Sequence, residues 1–593
     1  MAYVKSCRKP SGAFGPADQE YTDAAWNYPA VRTLQRMGEQ IAEPEKIIAH
    51  GIGSPFGHNS WNHWQLFHEH QIRHALGRPI APKHKQVIVE HQGFKIGYYA
   101  SPWGTEGELL FKAGGPNGSE RDASAEKLYF YNLASLYYTL AALQASGREP
   151  AQPQSLVEYI HRRQAPNGGY VDVRTADGEP QDAEAHVATT FHALAALKLL
   201  GATSARPGLC FKFVMTSQLG NGSFRWAPFD KSVDLATATS EDNDIYYTWA
   251  ALHALRLLDR GGPCVPDVVH AQILSLQNAD GGFGDKPGWR SRLYSTFYAV
   301  DSLALLSGDG QPRIPAHKVD KTQTEKIAAG TFSIYQGVNK SPACQLSDLT
   351  GLHARGLNLL AFKTDKFDAV DPLLPAIRQQ KLPVDVLLCP EMYPHRARQV
   401  GGAVLDHVGN FMLDPAWSPA QRAKWLEADE QGRASLPFAE YCRRVIAPAR
   451  QLGSFVYPEQ DFEMEYAYQA YDAGLKRIDG YNAVLAGFNW VPRDFIRVFP
   501  WRERYVDKLT PVADVDAHGD LAKWSPQLDY TRHLFLAAGP TFADFREAAQ
   551  HGRVVCVVAQ PEGVASGVTY YGAPAAVEYV RARRAEWQWW KDK

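Results

Sequence analysis

The chain has 593 residues, of which 45% are hydrophobic and 21% are charged, so it is long enough for two or more domains with separate cores. Its formal net charge is −2 and no long run of one sign occurs, which excludes bulk electrostatic attraction to nucleic acid or to an anionic membrane. The sequence has no uninterrupted apolar stretch long enough for a membrane span and no signal segment at its start, so we expect a cytoplasmic protein. The scattered cysteines show no CxxC spacing and predict free, buried thiols.

One sequence pattern recurs five times in the first half of the chain. Each copy has a glycine next to an aromatic residue, then a polar loop, then an amphipathic helix of the form Y/F-x-T-x-x-A-L-x-A-L that ends at Gly or Asp. Glycine permits the positive φ of a tight turn, and the Leu/Ala spacing forms one buried helical stripe. Further helices such as QPQSLVEYIHRRQ lie between the copies, so the pattern predicts αα-hairpins that close into a ring around a cavity. The copies are residues 11–38, 114–147, 165–201, 220–259 and 277–308.

These repeats resemble the α/α toroid of protein prenyltransferase β subunits and squalene-cyclase-type terpene cyclases. In the prenyltransferases, the junctions between loop and inner helix bind a diphosphate and a zinc ion. By this resemblance the diphosphate-binding histidine falls on His186, whereas the zinc ligands fall on Asn243, Ile245 and Ser295. Because these three side chains cannot replace zinc ligands, we expect no zinc in the toroid and no zinc-dependent thiol prenylation.

Basic and aromatic residues nevertheless remain at these junctions. They predict a site for an apolar small molecule with an anionic, diphosphate-like head. The alternative is that the cations are solvated loop charges and the aromatic residues are core. The candidate substrate-binding residues are His186, Tyr246, Lys286, Arg290, Arg292 and Tyr294.

Two acidic residues are candidate catalytic acids. The segment SEDNDIYYTWAAL places Asp242 and Asp244 where the cyclase branch of the family carries its D-x-D-D proton donor, although the motif is incomplete here. A buried carboxylic acid beside other carboxylates has a raised pKa and is able to protonate an alkene. Acidic residues directly before a helix also serve as N-caps, so both roles remain open.

A histidine-rich segment, HNSWNHWQLFHEHQIRH at 58–74, lies outside the repeat plan. His70 and His74 are four residues apart, with Glu69 beside them, which is compatible with a metal site on one helical face. The aromatic residues of the segment equally favour a packed helix whose histidines form ordinary hydrogen bonds.

The pattern changes after residue 310. We predict a toroid at 1–309, a Pro-containing linker at 310–328 and a second domain at 329–593, in which short apolar runs alternate with amphipathic helices. Such alternation is typical of a parallel α/β barrel with its chemistry at the strand ends. The predicted strands are GTFSIYQGV, LNLLAFKT, VDVLLCPEMY, AVLDHVGNFML, GSFVYP, RIDGYNAV, LTPVADVDAH and VVCVVAQ.

The endings of these strands resemble those of the PHP domain, a metallophosphoesterase with a distorted TIM-type barrel. Some of the ligands of that family are replaced here, for example by Lys366 and by Tyr457. The remaining groups leave room for one divalent metal ion rather than for a trinuclear cluster. By this resemblance its ligands are Glu391, His407, Asp516 and His518.

Three functions remain open for this multidomain chain. The first is an isoprenoid enzyme whose toroid binds a prenyl or terpenoid diphosphate and starts its ionisation or cyclisation, assisted by the second domain. The second is a metal-dependent phosphoesterase in the barrel, for which the toroid selects the substrate. The third is a non-catalytic binding or assembly protein, since repeat toroids also form interaction surfaces. The retained basic junctions favour the first.

Overall fold

The fold is that of a computed structural model, and the chain forms two compact units. One unit consists of Met1–Asp18, Thr22–Thr322 and Gln399–Ala403, and the other of Gln19–Tyr21, Gln323–Arg398 and Val404–Lys593. The structure describes residues 2–17, 24–50, 62–79, 133–145, 147, 149–150, 153–171, 185–228, 244–259, 265–308, 310–312, 314, 326–340, 346–363, 375–376, 379, 385–389, 391–392, 408–412, 418, 420–421, 423–424, 427, 455–458, 480–486, 496–498, 510–517, 531–560 and 567–587.

The described part of the first unit is helical. Its inner helices are α2 (Ala24–Arg36), α4 (Asn62–Ala75), α5 (Leu133–Ala145), α7 (Val187–Leu199), α9 (Ile245–Leu257) and α11 (Leu293–Leu306). The outer helices are α1 (Ala2–Ser6), α3 (Pro44–His50), α6 (Pro153–His161), α8 (Pro207–Thr216) and α10 (Pro266–Leu274). Four of these outer helices begin with proline, which suits the first turn because its missing N–H has no partner there anyway.

The inner helices form a closed ring. In the order α2, α4, α5, α7, α9 and α11 each helix packs against the next, and α11 packs back against α2. Each outer helix packs against an inner one, so the unit is an α/α toroid and this prediction is confirmed. The helix α4 carries the histidine-rich segment. Its placement outside the repeat plan was therefore wrong, because α4 takes a place in the ring between α2 and α5. Of the described helices, none combines the length and the apolarity needed to cross a bilayer.

A shared hydrogen bond ties the glycine turn to the inner helix in four repeats. The backbone N–H of the aromatic residue donates to a side-chain oxygen in the first turn of the helix, which satisfies a buried amide. We call the accepting residue the clasp residue. The donor and clasp pairs are Phe14 and Asn27 (2.7 Å), Tyr170 and Thr190 (3.0 Å), Phe224 and Thr248 (3.2 Å), and Phe283 and Thr296 (3.0 Å).

The glycine of the turn has two reasons to be glycine. Gly168 has a φ of +95°, which L side chains rarely adopt, and a Cβ there would lie 2.2 Å from the carbonyl carbon of Leu209. The turn of one repeat therefore packs directly against the backbone of the following outer helix, α8. The tight turn therefore accounts for the recurring glycine of the sequence pattern, and the clasp hydrogen bond accounts for the recurring threonine.

An ion pair joins the first and last helices of the ring. Arg36 Nε of α2 lies 2.6 Å from Asp301 Oδ1 of α11. Asp301 Oδ2 accepts hydrogen bonds from Trp249 Nε1 (2.9 Å) and His253 Nε2 (2.7 Å) of α9. Burial alone would raise the pKa of Asp301. The hydrogen bond and charge of His253, the charge of Arg36 and the Trp249 hydrogen bond outweigh that effect and hold the pKa below its ordinary value. Asp301 is thus an ionised carboxylate that binds three helices together.

The second unit is built on a mixed sheet. Five parallel strands lie in the spatial order β3, β2, β1, β9 and β7; antiparallel β8 follows β7, and antiparallel β10, β11 and β12 extend from β1. Strands β4, β5 and β6 form a separate antiparallel sheet. The bounds are β1 (Ser333–Lys340), β2 (Leu359–Lys363), β3 (Asp385–Cys389), β4 (Glu391–Met392), β5 (Val408–Met412), β6 (Phe455–Pro458), β7 (Gly480–Ala486), β8 (Ile496–Val498), β9 (Thr510–Ala517), β10 (Thr531–Ala537), β11 (Val554–Gln560) and β12 (Gly567–Tyr571).

Every predicted strand segment contains a strand, but the sheet is not purely parallel. Strands β8, β10 and β12 have no counterpart among the predicted ones, and all three pair in the antiparallel direction. Among the described ladders no pairing joins β3 to β8, so closure into a barrel and the domain limits at 309 and 329 stay predictions. The described helices of this unit with their bounds are α12 (Leu346–Ala354), α13 (Phe542–Gln550), α14 (Pro574–Ala582) and α15 (Arg584–Trp587).

The clasp hydrogen bond has a measurable energetic value. In Thr296→Val the Phe283 N–H loses its acceptor while the side-chain shape is kept, so we expect the free energy of unfolding to fall by about 1–3 kcal/mol. Thr216→Val is the matched control, because Thr216 lies at the exposed end of α8 and bonds only within its own helix. Denaturant unfolding of the three proteins measures the difference, and equal stability of the two variants would contradict the role of the clasp.

The ion pair of Asp301 has a defined pH signature. We expect Asp301→Asn to lower the free energy of unfolding by about 2–4 kcal/mol at neutral pH. Because the native pKa of Asp301 lies below that of the unfolded chain, its stabilisation is complete above about pH 4 and is lost as the pH falls through the native pKa. Across this pH range, the difference in the free energy of unfolding between the wild type and Asp301→Asn should narrow only in acid. A difference that widens in acid would contradict the ionised state of Asp301.

Candidate active site in the toroid lumen

Six aromatic side chains, one from each inner helix, surround the lumen at one depth. Wherever a clasp residue exists, the aromatic residue follows it directly in sequence. Neighbouring ring centroids are between 4.7 and 6.2 Å apart, and the circuit closes on itself. We call this set the aromatic girdle. Its members are Tyr28, Phe67, Tyr137, Phe191, Trp249 and Phe297.

The girdle shows how the inner helices are arranged. Equivalent residues meet around the whole circuit, so the helices run parallel and in register. The six ring centroids form an approximate hexagon, and the centre of a regular hexagon is as far from each corner as neighbouring corners are from each other. The axis of the toroid is therefore within van der Waals contact of the edge of every aromatic ring. Tyr28, Tyr137 and Trp249 are partly exposed, whereas the three phenylalanines of the girdle are buried. The girdle therefore encloses a narrow internal space, suited to one extended chain.

Further aromatic rings extend this lining toward the N-terminal ends of the inner helices. Buried Tyr246 stacks on Trp249 with centroids 5.9 Å apart and lies 5.2 Å from the ring of Tyr298. Tyr294 is half-buried, and its hydroxyl lies 2.6 Å from His68 Nε2 of α4. Aromatic faces attract cations as well as apolar groups, so this wall suits a hydrocarbon chain that carries positive charge during a reaction.

The N-terminal ends of α7, α9 and α11 form the mouth of the lumen. Their N-cap residues are His186, Asp244 and Arg292, which occupy equivalent positions in three repeats. His186 Nδ1 accepts a hydrogen bond from the Ala188 N–H (3.1 Å), which fixes the neutral ring as the Nε2–H tautomer, a hydrogen-bond donor. The His186 ring is buried and stacks against Trp226 at 5.8 Å.

Asp244 makes contacts that favour its ionised form. Its Oδ1 accepts the Tyr246 N–H at 2.8 Å, and its Oδ2 lies 4.0 Å from Lys286 Nζ. A helix N-terminus and a nearby ammonium both stabilise a carboxylate, whereas an acid that protonates an alkene needs the opposite environment. These contacts agree with the capping alternative, and the catalytic role of Asp244 stays a prediction without their support. Asp242 lies outside the described residues.

The predicted cations of the mouth are largely inside the protein. Lys286 is 5% exposed and Arg292 is 7% exposed, while Arg290 is half-buried. The alternative of solvated loop charges is therefore wrong for Lys286 and Arg292. Burying a cation is costly unless it meets an opposite charge or an anionic ligand. Lys286 meets Asp244, so the mouth combines buried positive charge with three helix N-termini.

One turn beyond the girdle lies a polar layer that the sequence interpretation missed. We call it the lumen floor, and it occupies the position four residues after each girdle residue. Its signal was present in the sequence, because the x of the A-L-x-A-L pattern is charged or is histidine in three copies and alanine in two. The floor positions are Arg32, Gln71, Ala141, Ala195, His253 and Asp301.

The described histidine side chains of the histidine-rich segment, His68, His70 and His74, have separate surroundings. His68 contacts Tyr294, buried His70 approaches the Ala142 carbonyl through Nδ1 (3.2 Å), and His74 is exposed. These contacts agree with the packed-helix alternative. Across the described ranges, no group of three or more His, Cys, Asp or Glu side chains is placed to hold a metal ion.

The predicted metal ligands of the second unit are only partly described. Glu391 begins β4, which follows β3 in sequence, and Asp516 lies near the end of β9. His407 and His518 lie outside the described residues. In the main sheet β2 and β1 separate β3 from β9, a span of about 14 Å along a flat sheet. A metal ion shared between these strand ends would therefore require the sheet to curl.

Comparison with known proteins supports the toroid. Residues 116–330 match the sequence profile of the prenyltransferase alpha-alpha toroid domain. No significant match to a curated protein is found. The sequence also aligns with the solved structure of Candida albicans protein geranylgeranyltransferase-I complexed with GGPP, at 16% identity and a TM-score of 0.35, covering 49% of this chain and 86% of that one.

Two other solved structures are similar at a lower level. A type II terpene cyclase from Scytonema is 12% identical with a TM-score of 0.22, covering 51% of this chain and 69% of that one. A two-domain protein from Bacteroides vulgatus, containing a predicted PHP-like metal-dependent phosphoesterase, is 12% identical with a TM-score of 0.26, covering 40% of this chain and 69% of that one. Identities and TM-scores this low establish no shared activity. The profile match and the closed ring together show that the first unit has the prenyltransferase-type toroid fold.

Proposed function

We propose that the toroid is an isoprenoid-type enzyme that binds an apolar substrate with an anionic, diphosphate-like head. One observation carries this proposal: buried cations and helix N-termini lie at one end of a lumen lined by aromatic rings. The profile match of residues 116–330 supports the isoprenoid class. A non-catalytic assembly protein would have no need of buried Lys286 and Arg292 at this position, because buried charge is expensive.

The mouth supplies groups that stabilise a diphosphate. Lys286 and Arg292 provide positive charge, and the Nε2–H of His186 is a donor. The N-termini of α7, α9 and α11 add partial positive charge, as helix N-termini do at many phosphate sites. When the C–O bond to the diphosphate breaks, its electron pair leaves with the diphosphate, and these groups stabilise the developing negative charge.

The lumen would hold the other product of that cleavage, an allylic carbocation. The faces of Tyr246, Trp249 and Tyr298 stabilise positive charge, and the girdle keeps water away from it. We propose ionisation of the head, rather than protonation of an alkene, as the first step, because the contacts of Asp244 favour its ionised form.

Binding of farnesyl diphosphate tests the mouth directly. We expect Arg292→Met and Arg290→Ala each to weaken its binding about tenfold, because each removes a charge-assisted interaction with the head. Arg256→Met is the matched control, since Arg256 is exposed in the last turn of α9. Titration calorimetry, with thermal unfolding to confirm the fold, gives the comparison. Equal affinity of the wild type and both mouth variants would contradict the proposal.

A divalent metal ion in the second unit is a separate proposal. Its support is placement: β3, β2, β1, β9 and β7 are parallel, so their carboxyl ends share one edge, and Glu391 and Asp516 lie at or near two of those ends. Carboxylate and imidazole groups are suitable donors for such an ion. No step of the proposed toroid reaction runs through it.

Metal content distinguishes a second unit that binds a divalent ion from one that binds no metal. We expect the purified chain to bind about one divalent ion per molecule, because the predicted carboxylate and imidazole ligands form a single site. Glu391→Gln should lose most of it, whereas Glu578→Gln, on the exposed side of α14, should retain it. Elemental analysis after dialysis measures both. Equal metal content in the two variants, or none in the wild type, would contradict a site at Glu391.

A further inference from the structure

The lumen floor carries chemistry that the proposed reaction at the mouth does not use. Arg32, His253 and Asp301 occupy equivalent positions on α2, α9 and α11, which are consecutive in the ring. In the copies on α5 and α7 the same position is alanine. The floor is therefore polar on one side of the ring and carries only small side chains on the opposite side.

The polar groups of the floor lie close to the tyrosines of the girdle. Arg32 Nη1 donates to Gln35 Oε1 at 3.1 Å, and both Arg32 and Asp301 act on the pKa of Tyr28. Tyr137, on α5 across the ring, feels the charges of both Arg32 and Asp301. The side chains of Arg32, Tyr137 and His253 are partly exposed.

Together with Arg36, which lies one turn beyond Arg32 on α2, the described floor residues carry net positive charge. Arg32 and Arg36 contribute two positive charges, and Asp301 contributes one negative charge that Arg36 and His253 already contact. Burial raises the pKa of Tyr28 to about 12, even though Arg32 partly opposes this, and burial likewise raises the pKa of Tyr137. Both phenols therefore stay protonated and are hydrogen-bond donors at neutral pH. A guanidinium with hydroxyl donors matches a carboxylate.

We propose that the lumen floor is a second polar subsite, centred on Arg32, which binds a carboxylate at the far end of the substrate. This deepens the proposed function, on which it rests, because it concerns the same lumen. The substrate class is then an extended apolar chain with an anionic group at each end. The ring-closing ion pair of Asp301 does not explain Arg32, because Arg36 rather than Arg32 completes that pair.

The helices set the length of such a substrate. His253 and Asp301 each lie nine residues after the N-caps Asp244 and Arg292. At 1.5 Å per residue the floor is about 14 Å below the mouth. The girdle lies between the two polar ends and admits one extended chain.

A pair of fatty acids tests the floor without any diphosphate. Dodecanedioate has a carboxylate at both ends of a chain that spans the required distance, whereas dodecanoate has only one. We expect the wild-type chain to bind dodecanedioate about tenfold more tightly than dodecanoate, the value of one additional charge-assisted contact. Arg32→Met should abolish this advantage, Arg32→Lys should keep most of it, and the exposed control Arg256→Met should keep all of it.

The outcomes separate the floor from the mouth. Farnesyl diphosphate, titrated into the same proteins, should not bind Arg32→Met more weakly than the wild type, since it carries no distal anion. Farnesyl diphosphate could fail to bind while dodecanedioate still binds more tightly than dodecanoate in a way that depends on Arg32. That result would contradict the diphosphate site and support the carboxylate subsite at the floor. Three results would contradict the carboxylate subsite. They are equal affinity of the wild type for the two acids, no binding of dodecanedioate, and tighter binding of dodecanedioate that persists in Arg32→Met. Tyr137→Phe, which removes only a hydroxyl, should lower the advantage about threefold and gives an answer if Arg32→Met does not fold.

Discussion

The closed register of the inner helices is the constraint on which the rest of the first unit depends. The clasp hydrogen bonds fix where each helix starts relative to its turn, and Asp301 joins the last two helices to the first. Because the helices are parallel and in register, residues at the same position of each repeat meet at the same depth. A sequence repeat is thereby converted into layers: a mouth at the helix N-caps, an aromatic girdle one turn inside, and a polar floor one turn further.

These layers give the lumen a direction. Positive charge and helix N-termini concentrate at the mouth, where they match an anionic head, while the girdle beneath offers aromatic faces to a chain. The floor departs from the repeat where Arg32, His253 and Asp301 replace the aliphatic side chains of the other copies. Stability alone would favour apolar residues there, since buried ion pairs are often no better than well-packed hydrocarbon. Their presence in the lumen is therefore best explained by recognition, with Asp301 serving in addition as a ring closure.

The repeat pattern predicted the toroid because both of its signals have local physical causes. Glycine is required by the turn at Gly168, and threonine is required as the acceptor for a buried amide. The ring position of α4 was not predicted in this way, since its helix lacks the A-L-x-A-L part of the pattern. The lumen floor was predictable in principle from the polar residue within A-L-x-A-L, but its significance depends on ring contacts between distant helices. In the second unit the predicted strands are present, whereas their mixed direction follows from pairings that periodicity does not encode. The roles of His186 and Lys286 in binding an anionic head stay predictions, because the position and burial of a side chain do not specify its ligand.

The most direct test of the central claim is a crystal structure of the chain with farnesyl diphosphate bound. The diphosphate should lie among His186, Lys286 and Arg292, and its hydrocarbon chain should pass down the axis through the aromatic girdle toward the floor. Electron density for the ligand on the outer surface of the ring, or a chain that enters from the C-terminal ends of the inner helices, would contradict a lumen with its cationic mouth at the N-caps.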